Sequence, residues 1–152
     1  MAEVHWRGYL SALLTPAVAG FAVYVAKSQW TTTRNRLRFD LFEKRFAVYQ
    51  GARHFVGSVL ANGTARHEEL VKYLHATHAA KWIVSQDIHD YFESELYNPA
   101  LELERIDSEI DNLRTGEERT RTVEQRKNLR IHFHKQLDQL DTRFSPYLQL
   151  KH

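Results

Sequence analysis

The sequence predicts an all-α protein: an N-terminal transmembrane helix followed by an elongated antiparallel helical bundle or hairpin domain. Three observations point there. Tyr9 to Ala26, YLSALLTPAVAGFAVYVA, is eighteen residues without a charge, and an apolar run of about that length reads as a membrane span. Downstream, apolar residues recur at intervals of three and four, the period of a helix packed on one face. No useful stretch alternates apolar and polar residues, as a half-buried strand would.

The first segment carries its own punctuation. At 1.5 Å per residue it covers about 27 Å, the thin end of a bilayer core. Trp6 and Tyr9 on one side and Tyr24 and Trp30 on the other fit two interfacial aromatic belts. Gly8, Ala12, Thr15, Ala19, Ala22 and Ala26 are spaced 4, 3, 4, 3 and 4 apart. They form one face of small residues on which a second helix could pack closely in lipid. Pro16 and Gly20 are places for a bend. Lys27, Arg34, Arg36 and Arg38 follow at once, against Arg7 alone on the other side. Basic residues close to a span stay in the cytoplasm, so the N-terminus is expected outside and the rest of the chain inside. The same cluster argues against a cleaved signal peptide, although Gly20-Phe21-Ala22 offers small residues for cleavage. The expected organisation is an anchor with its flanks over 1–30 and a cytoplasmic helical domain over 31–152.

Charge supports the division. The formal net charge is +2, yet it is unevenly spread. From Lys27 to Ala61 seven Lys or Arg stand against two Asp or Glu, net +5; from Asn62 onward thirteen stand against sixteen, net −3. Lys27, Arg34, Arg36 and Arg38 therefore make a basic patch suited to anionic lipid headgroups. The distal domain has no basic excess of the kind nucleic-acid binding requires. With no cysteine, disulfides, thiolate metal sites and cysteine nucleophiles are excluded.

Past the anchor, Ser28 to Asn35 reads as a short linker or as continuing helix. Phe39, Phe42, Phe46, Tyr49, Ala52, Val56 and Val59 predict a first helix over about 36–61, with the dense aromatic stretch Phe39–Tyr49 as core. Asn62-Gly63 closes it. Leu70, Leu74, Thr77, Val84, Ile88 and Tyr91 predict one long helix over about 66–97, widened by Trp82 and Phe92. Asn98-Pro99 is expected to stop it and open a third, with Leu103, Ile106, Ile110 and Leu113 inward. Thr115-Gly116-Glu117-Glu118 has capping-box spacing. Phe133, Leu137, Leu140 and Phe144 mark a last helix, and Ser145-Pro146 can open one more turn.

Few residues point to chemistry. His75 and His78 stand at i and i+3 and form a weak metal-binding candidate; His89 lies three turns further along the predicted helix. No HExxH, no Glu-x-x-His, no phosphate loop and no Gly-x-Ser-x-Gly elbow occurs. No catalytic residues, metal or cofactor are therefore expected.

The stretch RFDLFEKRFAVYQGARHFV, with DIHDYF and the C-terminal FSPYL, resembles a motif of uncharacterised small bacterial proteins that carry an N-terminal span and a helical domain. The resemblance implies a bacterial inner-membrane protein with an anchored all-helical domain, and brings no functional residues. The leading expectation is a non-enzymatic interaction or accessory protein whose anchor packs on a membrane protein complex or on a second copy. The rivals are a self-oligomerising membrane effector and a metal- or ligand-binding bundle.

Overall fold

Asn62-Gly63 ends the first helix by the mechanism its residues suggest. Gly63 takes φ 73°, the left-handed conformation that glycine adopts without strain, and its N–H donates to Val59 C=O at 2.8 Å. A computed structural model describes residues 3–149, with side chains from residue 19 onward. Its elements are α1 (Glu3–Asn62), α2 (His67–Thr77), α3 (Ala80–Ile83), α4 (Gln86–Tyr91), a π-helical segment (Phe92–Tyr97), α5 (Asn98–Asn112) and α6 (Glu117–Phe144). No strand occurs among the described residues. The chain divides into two units, Met1–Asp40 and Leu41–His152, and the helical bundle and its core belong to the second.

Residues 28–35 are helical. Thr31, Thr32 and Thr33 turn their hydroxyls back onto the carbonyls of Lys27, Ser28 and Gln29 at 2.9 Å, which satisfies them without breaking the helix.

This region also corrects the expected membrane span. Among the described residues no helix is long and apolar enough to cross a membrane. Ala19 to Ala26, the part of the expected span with described side chains, is followed directly by Lys27 and six hydroxyl, amide and indole side chains. The earlier part of the expected span, residues 9–18, lies outside the residues whose side chains are described, and so do Gly8, Ala12 and Thr15 of the expected packing face. The described residues thus do not bear out the expected N-terminal transmembrane helix, its single-pass inner-membrane placement or the anchor.

The core of the second unit is aromatic at its centre. Phe55 stacks on Tyr73 at 4.4 Å between centroids and meets Phe133 edge-on at 6.5 Å; Phe92 stacks on Phe144 at 5.8 Å. Such pairs add about 0.5–1.5 kcal/mol each beyond burial. In α1 the inward face is Val48, Ala52, Phe55, Val56 and Val59. The expected stripe is corrected at its start: Phe39 is 53% exposed and Phe46 37%. Gly51 permits a close approach of α1 to α2, since a Cβ there would collide with the Ala76 side chain.

The predicted long second helix is three pieces. Val84 leaves the helical region and Ser85 is extended at φ −169°, ψ 164°. Ser85 Oγ then accepts the Ile88 N–H at 3.3 Å and caps α4. Arg45 of α1 donates from Nε to the Ile83 carbonyl at 2.9 Å, serving the open end of α3. Conversely, Asn98-Pro99 does not interrupt the chain. The helix passes through the π segment directly into α5, where Ala100, Leu103, Ile106 and Ile110 are buried. Asn98 N–H bonds to the Glu93 carbonyl five residues back, so the helix widens just where proline withholds a donor. Thr115 does not cap α6; Gly116 occupies that position without a side-chain bond.

Candidate functional site

Two surfaces stand out, one in each unit. The first is a stripe on α1. Ala19, Val23, Ala26, Trp30, Thr33 and Leu37 follow one another at 4, 3, 4, 3 and 4, the alternation that keeps one seam facing a partner helix. Val23 is 68% exposed, Trp30 73% and Leu37 61%. Val23, Ala26 and Trp30, with Lys27, Thr31 and Arg34, frame a shallow groove of about 600 Å³. Val23, Trp30 and Leu37 fall seven apart, and Ala19, Ala26 and Thr33 fill the intervening positions. Large and small residues thus form alternate layers along the seam.

Lys27, Arg34, Arg36 and Arg38, the expected basic patch, are all exposed. Among the described residues none of them forms an ion pair; the pairs of the chain join other residues, such as Arg53 with Asp141 and Arg126 with Asp107. Ala19, Ala22 and Ala26 of the expected packing face are exposed as well. Ala19 and Ala26 lie in the stripe just described, but sequence reasoning missed Val23 and Leu37 and placed Trp30 in an interfacial belt instead. The signal was their strict seven-residue spacing.

The second surface is a cavity of about 430 Å³ between α2 and the α4–π stretch. Tyr73, Leu74, Phe92 and Tyr97 supply apolar wall; Thr77, His78, His89 and Glu93 supply polar groups. The break at Val84-Ser85 is what brings His78 and His89 to one cavity, and a continuous helix would have held them three turns apart. The π segment completes the wall: at about 4.4 residues per turn Phe92 and Tyr97 fall near one face, whereas an α-helix would turn them well apart. Tyr73 is buried, and its hydroxyl donates to the Phe92 carbonyl at 3.1 Å. Burial is the main reason that its phenol is pushed far above the ordinary range.

The expected His75–His78 pair does not converge on a shared point. The His78 Nδ1 lies 2.9 Å from the His75 carbonyl, so it donates into its own helix end. Among the described residues no group of three His, Cys, Asp or Glu is placed to hold a metal ion.

Two side-chain hydrogen bonds join the α4–π stretch to α6. Tyr91 O–H donates to Gln136 Oε1 at 2.6 Å, and one turn earlier on α6 His132 Nε2 donates to the Glu95 carbonyl at 2.7 Å. Gln136 is 2% exposed, so the Tyr91 bond satisfies an amide oxygen that water does not reach.

No family model, no curated protein and no solved structure matches this chain.

Proposed function

We propose that this chain is a non-enzymatic, self-associating helical module whose α1 stripe pairs in parallel with the same stripe of a second copy. The observation that carries the reading is the seven-residue recurrence of three exposed large apolar side chains, Val23, Trp30 and Leu37. An apolar seam with this period is satisfied by a second helix carrying the same period.

Charge favours the parallel alignment. Flanking positions that face each other across an in-register parallel seam pair Ala22 with Lys27 and Gln29 with Arg34 of the second copy, with no two like charges opposed. An antiparallel crossing near Trp30 would set Lys27 against Arg34, and like charges in that position are unfavourable.

The test is sedimentation equilibrium of the full chain across the micromolar range. A dimer is expected, with Trp30→Asp monomeric and unchanged in far-UV circular dichroism. A monomer throughout would overturn the reading. The chain has no cysteine, so Thr33→Cys reports direction cleanly: two seam cysteines meet only in the parallel register. Failure to crosslink under oxidation would overturn that register.

A further inference from the structure

We propose that the cavity between α2 and the α4–π stretch binds a small organic cation, an amine carried on an aryl or alkyl body. The proposal is independent of the α1 seam.

Size and lining set the class. About 430 Å³ lies within the range of small-molecule sites, which are mostly apolar with a few convergent polar groups. Tyr73, Leu74, Phe92 and Tyr97 provide the apolar body of the site. Phe92 is 3% exposed and Tyr73 2%, so both rings are fixed by the core rather than free to fold into the space. Rigid walls reduce the ordering cost of binding.

The polar groups set the charge. Glu93 is the one carboxylate in the lining, and among the described residues it forms neither an ion pair nor a side-chain hydrogen bond. His78 has its Nδ1 engaged by the His75 carbonyl, which leaves Nε2 as an acceptor in the neutral ring. Tyr73 and Thr77 have their hydroxyl protons committed, to the Phe92 carbonyl at 3.1 Å and the Tyr73 carbonyl at 2.7 Å. Beside the Tyr97 hydroxyl and the His89 ring, the site therefore offers acceptors and one negative charge, that of Glu93. An ammonium group finds a counter-ion in Glu93, and its aryl or alkyl body finds the apolar wall. A carboxylate ligand would meet repulsion from Glu93.

The experiment uses the full chain, with phenethylammonium, 2-phenylethanol and phenylacetate as probes at pH 7.5, followed by amide and aromatic NMR shifts. Saturable binding of the cation is expected, with shifts at His89, Glu93 and Tyr97. The neutral alcohol should bind at least tenfold more weakly and phenylacetate not at all. Glu93→Gln should weaken phenethylammonium about tenfold while leaving the alcohol unchanged, and Leu74→Trp, which fills the cavity from its open side, should abolish both. Equal binding of alcohol and amine, an unchanged affinity in Glu93→Gln, or the absence of saturable shifts would each overturn the proposal.

Discussion

His132 Nε2 donates to the main-chain carbonyl of Glu95 at 2.7 Å, and Glu95 is the residue four positions before Pro99. An ordinary helix would serve that carbonyl with the N–H of residue 99, which proline lacks. The imidazole of α6 thus supplies a donor that α5 lacks, and the π segment gives the proline ring room. The bond determines the Nε2–H tautomer of His132.

This pairing predicts a coupling. His132→Ala should destabilise the fold by about 1–3 kcal/mol, the usual cost of leaving a shielded carbonyl unpaired. In a Pro99→Ala background the restored N–H can take over, so the same substitution should cost less. Urea unfolding of the four members of the cycle measures the difference; strict additivity would rule the pairing out.

Gly51 tests the approach of α1 to α2. A Cβ there collides with the Ala76 side chain, so Gly51→Ala should cost about 1–3 kcal/mol despite the better helix propensity of alanine. Adding Ala76→Gly should recover much of that loss. A Gly51→Ala protein with unchanged or raised thermal midpoint would contradict the packing.

Ser85 holds the break that the sequence pattern hides. Its Oγ accepts from Ile88 N–H at 3.3 Å and from the Tyr147 hydroxyl at 3.1 Å. Ser85→Ala should cost about 1 kcal/mol, and Ser85→Thr should retain most of the stability. Chemical denaturation distinguishes the two.

Asp141 predicts a pH dependence. Its Oδ1 accepts from the Tyr49 hydroxyl at 2.7 Å and from Arg53 Nη1 at 2.5 Å, and these bonds, Tyr49 first, hold its carboxyl below the usual value of 3.8. A carboxyl lowered by folding stabilises above its unfolded pKa, and the contribution is lost as pH falls through the folded one. The stability difference between wild type and Asp141→Asn should therefore be constant near neutrality and shrink below about pH 4. The carboxyl is half exposed, so the plateau should be modest and reduced by salt. A difference that persists undiminished at pH 2 would place the effect elsewhere.

Self-association has a salt signature. Lys27, Arg34, Arg36 and Arg38 are exposed on each copy, and they are brought together when two stripes pair. Screening them should tighten the dimer as salt rises from low to physiological strength. Weakening with salt would argue against a seam of this composition.

How much of this was legible in the sequence differs by element. Gly63 announced its left-handed turn, and the periods of Leu103–Ile110 and Phe133–Phe144 announced buried faces, because each depends on residues close in sequence. Phe39 and Phe46 were misplaced as core. Apolar periodicity marks a face that seeks a partner, and it does not say whether that partner lies within the chain. The uncharged run upstream was over-read in the same way, as a span that the described residues do not bear out. The break at Val84-Ser85 carries no glycine or proline, and its one cue, Ser85, was obscured by an unbroken apolar stripe.

The sequence by itself determined that the chain is helical, where α1 turns back at Asn62-Gly63, and which residues fill α5 and α6. Those outcomes follow from local backbone preference and side-chain period. The tertiary structure decided that Pro99 leaves the helix unbroken, that His78 and His89 share a cavity, and that Phe55 rather than Phe39 enters the core. Each of these depends on a donor, a wall or a ring contributed by a segment distant in sequence.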